Sequence, residues 1–201
     1  MGEAIMVGMA EIKVIRSAES VLIALGLGSC IGVCVYDPHA RIAGMAHIVL
    51  PDSAGHETSP SKFANTAIPM LIQEMERVGA VSARLRAAIA GGAQLFAFNG
   101  SGPRLEIGPR NVAAVQTVLE RHNIYVSASD LGGTVGRTVR LTGDGRVHVK
   151  TIGKGERELI MLSAVREGAA SFRTAVGVGS ASSQTAALSA PGLEAIRRRQ
   201  A

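Results

Sequence analysis

A thiol and an imidazole lie close together near the start of the chain. Cys30 closes the run LGLGSC, Cys34 follows in IGVCVYD, and His47 stands in GMAHIVLP. Hydrolysis through a nucleophilic thiol needs an accessible cysteine, a means of losing its proton and a base within reach. Gly26, Leu27, Gly28 and Ser29 supply bends that can lift the Cys30 thiol out of a sheet, with backbone N–H groups free to face an oxyanion. If the segments around Val33 and Met45 form a hairpin that turns near residues 38–40, position 30 faces position 47 or a near neighbour. That hairpin brings the imidazole to Cys30. The bland alternative stands beside it: a cysteine and a lone histidine in apolar strands are common core residues. Cys34, between Val33 and Val35, reads as strand interior.

Other chemistries fit less well. Gly28-Ser29-Cys30-Ile31-Gly32 matches a nucleophile elbow, but an elbow leads from a strand into a helix, and here strand-like residues follow. Cysteines four apart on one strand lie roughly 13 Å from each other, too far for a disulfide. With no second cysteine pair and five scattered histidines, no zinc site is expected. Gly91-Gly92 and Gly132-Gly133 fit no phosphate-binding fingerprint and read as turns. Arg110, Asn111 and Arg137 are candidates for shaping a substrate rim or holding loops. His39, His56, His122 and His148 fall where solvated side chains are expected.

The elements that must position these residues follow from periodicity. Strands are expected at Glu11–Ile15, Ser20–Leu25, Ile31–Tyr36, Arg41–Leu50, Ala83–Ala90, Ile124–Ser129, Val135–Leu141 and Val147–Ile152. Ser59-Pro60 starts a first helix, with Phe63, Ala67, Leu71 and Met75 on one face and an expected kink at Pro69. Gly108-Pro109 opens a second, carrying Val112, Val115 and Leu119. The order β-β-β-β-α-β-α-β-β-β lacks the alternation of a doubly wound fold and predicts an α+β class with a mixed or antiparallel sheet.

Composition narrows the class. The 201 residues are 47% hydrophobic with no Trp, enough for one domain packed by aliphatic side chains. The net charge of +5 splits into +2 over residues 1–153 (14 basic, 12 acidic) and +3 over 154–201 (7 basic, 4 acidic). A weakly charged domain with 3% aromatics argues against nucleic-acid binding. No signal-like or membrane-spanning stretch is evident, so a reducing cytoplasm is the expected setting. From residue 153 the composition turns Ala/Ser/Arg-rich, giving expected units of 1–152, a folded domain, and 153–201, a flexible tail.

At this point several ordered motifs converge. LGLGSCIGVCVYDP, GMAHIVLPDS, KFANTAIPMLIQEM, GGAQLF, IGPRN and DLGGTVGRTVRLTGDGRVHVK together resemble the CheD family of chemoreceptor glutamine deamidases of bacterial chemotaxis. The resemblance implies a largely antiparallel β-sandwich-like core flanked by two main helices, related to the deamidase domain of cytotoxic necrotizing factor. It implies Cys30 as nucleophile and His47 as general base and acid, with no metal or organic cofactor. It also implies receptors as substrate, CheC as a partner in some systems, no nucleic acid and no membrane insertion. One position departs: related enzymes carry Thr six residues before the nucleophile, where this chain has Ala24. The third group must then be absent, a backbone carbonyl, or a hydroxyl from elsewhere. Besides a glutamine deamidase, a CheD-like adaptor with little catalysis and a cysteine peptidase or small-amide hydrolase stay open.

Overall fold

A computed structural model describes residues 2–55, 58–95 and 106–164. The strands are β1 (Ala4–Met6), β2 (Ile12–Ile15), β3 (Val21–Leu27), β4 (Ile31–Asp37), β5 (Ile42–Ile48), β6 (Arg86–Gly91), β7 (Tyr125–Leu131), β8 (Arg137–Thr142), β9 (Arg146–Thr151) and β10 (Gly155–Met161). Two helices, α1 (Ala64–Arg77) and α2 (Ile107–Arg121), complete the framework. The strands form two five-stranded sheets, ordered β1-β3-β8-β9-β10 and β2-β5-β4-β6-β7. Only the β1–β3 and β6–β7 pairings are parallel. The fold is therefore α+β with two mixed, mostly antiparallel sheets.

Two cores explain the strand patterns. Leu22, Ala24 and Leu27 of β3 meet Val139, Leu141, Val147 and Val149 from the same sheet. Across from them lie Cys34, Tyr36, Ala43, Met45, Ala88 and Ala90 of the other sheet. The second sheet has a further apolar face: Ile31, Val33, Val35, Ala46 and Ile48 pack on Ile68, Leu71, Met75, Val115 and Leu119 of the helices. Covered on both faces, β4 and β5 are buried along their whole length. Hence their sequences read as continuous apolar runs where β8 alternates.

Three differences from the sequence reading have physical causes. Strand β10 belongs to the domain, pairing antiparallel with β9, so the folded unit runs past the expected boundary at 152. Its residues GERELIM are mostly exposed, as an edge strand permits, and resemble a polar tail for that reason. Pro69 causes no break: α1 is one helix, its buried face of Ala67, Ile68, Leu71, Ile72 and Met75 offsetting the lost N–H. The Ser59-Pro60 signal starts a single 3₁₀ turn, Pro60–Lys62, and α1 begins only at Ala64. His56 and the segment after Ala164 lie outside the described residues.

The expected hairpin is present, and a buried carboxylate closes it. Asp37 accepts the N–H groups of His39, Ala40 and Val81 and the guanidinium of Arg84. Burial pushes its pKa up, but Arg84 and the three N–H donors outweigh that and hold it at about 2 against an ordinary 3.8. A lowered carboxylate pKa stabilises the fold above pH 3.8 and loses that contribution as pH falls through 2. The shift corresponds to about 2 kcal/mol at neutral pH. Urea denaturation should therefore show D37N less stable by roughly that amount at pH 7, with the gap closing as the pH falls to about 2. A gap that persists in acid would show that the carboxylate charge does not hold the turn.

Candidate active site

Cys30 lies where the chain crosses between sheets. Strand β3 is in one sheet and β4 in the other, and residues 28–30 make the bend that joins them. The crossing leaves Cys30 half-buried at one end of the inter-sheet core, against which it packs. Two glycines hold the bend. Gly92 N–H donates to the Cys30 carbonyl at 2.9 Å and Ala93 N–H to the Gly28 carbonyl at 2.7 Å. A Cβ on Gly91, whose φ is +127°, would sit 2.1 Å from the Cys30 carbonyl oxygen. Gly91-Gly92 thus lets the end of β6 approach the Cys30 backbone, a role finer than a turn.

His47 faces the same core. In the β4–β5 ladder it pairs with Gly32, so Cys30, two residues earlier, is its diagonal neighbour on the inter-sheet face. This register agrees with the sequence expectation that position 30 faces position 47 or a near neighbour. His47 is 3% exposed, and its Nδ1 lies 3.2 Å from the carbonyl oxygen of Val7. A carbonyl only accepts, so Nδ1 carries the proton and Nε2 keeps its lone pair. Nε2 is buried and makes no hydrogen bond among the described residues. Burial lowers the His47 pKa below 6.5, more than the Val7 carbonyl and the charge of Glu11 raise it. The imidazole is a neutral base at pH 7.

Val7 is tied to both sheets. Its N–H donates to the Ile23 carbonyl at 2.8 Å while its own carbonyl receives His47. The backbone of His47 is in turn bonded to Ala10 and Glu11. Ala24 is fully buried opposite Val139 and offers no hydroxyl. Of the alternatives left open for the third group, the structure presents a main-chain carbonyl. Nothing in the sequence near Val7 marks it, because any residue type carries that group.

Asn111 is the other residue whose place the sequence left unsettled. Fully buried in the first turns of α2, it donates through Nδ2 to the carbonyls of Ser29 and Val49, each at 2.9 Å. It therefore ties the segment before Cys30 to the end of the strand that carries His47. Arg137 is also a loop holder: it bonds Asp130 and the carbonyls of Gly91 and Gly132. No cluster of His, Cys, Asp and Glu among the described residues has the makings of a metal site. No helix among them is long and apolar enough to cross a membrane.

The two thiols should differ in reactivity. Burial pushes the Cys30 pKa up, against its own backbone N–H, and pushes that of the fully buried Cys34 far higher. Iodoacetamide followed by peptide mass spectrometry should modify Cys30 faster than Cys34 by roughly a hundredfold or more in the folded protein. Equal labelling would remove Cys30 as the accessible thiol.

A family profile described as CheD chemotactic sensory transduction matches residues 49–151. The chain is 46% identical over 157 residues to a probable chemoreceptor glutamine deamidase CheD of Symbiobacterium thermophilum, covering 76% of this chain and 95% of that one. It is 46% identical over 159 residues to a protein of the same description from Desulfitobacterium hafniense, covering 78% and 99%. With the chemoreceptor glutamine deamidase CheD of Halalkalibacterium halodurans the identity is 40% over 163 residues, covering 79% and 100%. Likeness this high across nearly the whole length of these relatives leaves one conclusion: the chain belongs to the CheD family.

Proposed function

We propose that this protein deamidates glutamine side chains of chemoreceptors to glutamate, with Cys30 as nucleophile and His47 as base and acid. The observation that carries the mechanism is the neutral His47, its Nδ1 held by the Val7 carbonyl and its Nε2 lone pair unspent on the face shared with Cys30. Kinship with proteins described as chemoreceptor glutamine deamidases supports the substrate.

The chemistry starts from a neutral pair, since the thiol pKa is raised and the imidazole pKa lowered. As Sγ attacks the carboxamide carbon, Nε2 takes the thiol proton; the tetrahedral adduct collapses, the C–N bond breaks and Nε2 returns the proton to departing ammonia. Water then attacks the thioester with Nε2 as base, the C–S bond breaks, and thiol and glutamate remain. Asn111 and Gly91-Gly92 hold the backbone on either side of the reacting groups.

The test is mass spectrometry of a receptor cytoplasmic fragment incubated with the protein, expecting a gain of about one dalton at specific glutamines, the difference between amide and acid. Binding without mass gain would favour an adaptor, and faster cleavage of peptide bonds would favour a peptidase. Both cysteines are unpaired, as suits the reducing cytoplasm proposed as the site of action. Kinship with the family likewise supports CheC as a regulatory partner and a fold relationship to the cytotoxic necrotizing factor deamidase domain.

A further inference from the structure

Arg137 is 6% exposed, and its backbone pairs with Leu27, the last residue of β3 before the bend that carries Cys30. Its guanidinium spends three nitrogens on three separate partners. Nε donates to Oδ1 of Asp130 at 2.8 Å, Nη1 to the Gly91 carbonyl at 3.2 Å and Nη2 to the Gly132 carbonyl at 2.7 Å. Asp130 lies on β7 in the second sheet, and its other oxygen accepts Arg157 of β10, an edge strand of the first. Two arginines of one sheet therefore converge on a single carboxylate of the other.

This clamp leads to the nucleophile. The Gly91 carbonyl also accepts the Gly132 N–H at 2.9 Å, and Gln94 N–H donates to the Gly133 carbonyl at 2.9 Å. Residues 91–94 are thus held from one side by Arg137 and the Gly132-Gly133 turn. On the other side Gly92 and Ala93 donate to the carbonyls of Cys30 and Gly28. Arg137 so borders the bend at both ends: by its backbone at Leu27 and, through Gly91, at Cys30. Stability alone is a weak reason for a buried ion pair, since packed apolar residues of similar volume often do as well or better. What a guanidinium adds is direction, because its planar fork fixes where each acceptor sits. Its charge is matched by Asp130, and the Cys30 thiol pKa is shifted by burial and its own N–H.

We infer that Arg137 is a positioning residue for Cys30, anchored by Asp130, which Arg157 steadies in turn. It fixes the end of β6, and with it the backbone from which Sγ reaches the substrate carbon. The inference rests on the deamidase reading above. It also gives β10, which begins beyond the profile match ending at residue 151, a part in the reaction. Displacing a reacting atom by about 1 Å costs roughly a hundredfold in rate, so a loosened clamp is felt in turnover.

The experiment compares wild-type protein with R137K, which keeps the charge but has one nitrogen to reach acceptors lying in three directions. On a receptor cytoplasmic fragment, well below the melting temperature, R137K should lower kcat roughly tenfold to a hundredfold with KM unchanged. R157Q, at the exposed end of the clamp, should lower kcat less. R77Q, which breaks the exposed Arg77–Glu74 pair of α1, should match wild type. Amide hydrogen exchange should be about tenfold faster or more at Gly92 and Ala93 in R137K, while the β4–β5 ladder keeps its protection. The pH midpoint of iodoacetamide labelling at Cys30 should not move. Wild-type kcat in R137K, even with a lowered melting temperature, would overturn the inference and leave a merely structural brace. So would a lost kcat with Gly92 and Ala93 protected as in wild type. If R137K does not fold, D130N, which keeps the side chain's shape, is held to the same outcomes. Wild-type protein that leaves every glutamine intact would instead sink the deamidase reading. Exchange then decides the clamp separately: unchanged protection of Gly92 and Ala93 in R137K rejects it.

Discussion

Cys30→Ala should abolish deamidation of a receptor fragment, by roughly 10⁴-fold or more in kcat, while binding of the fragment and the melting temperature should stay near wild type. The proposed chemistry needs a covalent thioester, and Cys34, fully buried in the inter-sheet core, offers no substitute thiol. A half-buried cysteine shortened to alanine leaves the backbone contacts of Gly91-Gly92 untouched. In the proposed mechanism Cys30 and His47 act as one unit, so the double variant C30A/H47A should be no slower than C30A alone. Mass spectrometry of glutamine-bearing peptides measures both. Retention of a tenth of the activity in C30A would remove the thiol from the mechanism.

The second large effect is at His47. His47→Gln should lower kcat roughly 10²–10⁴-fold, the usual loss when a positioned base and acid is removed. The neutral resting imidazole sets the pH dependence. Burial lowers the His47 pKa, so the base remains unprotonated to below pH 6.5, and the acid limb of kcat/KM should fall below that value. An acid limb clearly above it would mean that the controlling group is not this buried histidine. Nitrogen NMR of the His47 ring should report the proton on Nδ1, where the Val7 carbonyl accepts it. Deleting the segment through Gly8 removes that carbonyl; the tautomer preference and kcat should then fall together, whereas a merely structural role would lower the melting temperature with the tautomer kept.

Asn111 and Val7 show what kind of information a sequence withholds. Asn111 reaches Ser29 across 82 residues and Val49 across 62. Val7 reaches His47 across 40 residues through a group common to all amino acids. Neither contact has a local periodicity or spacing, so only assembled sheets and helices disclose them. Ala24 is the informative contrast. The missing hydroxyl was legible, but its replacement by a carbonyl depended on where β1 pairs, and β1 is a three-residue strand whose parallel partner lies beyond β2.

The hairpin of β4 and β5 was legible because its hydrophobic runs flank a tight Asp-Pro turn, and strand pairing across so short a loop is nearly forced. That locality placed Cys30, at the start of one strand, beside the neighbouring strand that carries His47 from sequence alone. Strand β10 was not legible, since an edge strand exposed on most positions carries no apolar pattern to separate it from a polar tail. Sequence by itself marked the pair proposed to react, the α+β class and the family motifs, all of which rest on short-range pattern. Tertiary structure decided the diagonal register of His47, its orienting carbonyl and the Asn111 tie, because each is made by backbone or side chains from segments distant in sequence that meet only when sheets and helices close on one core.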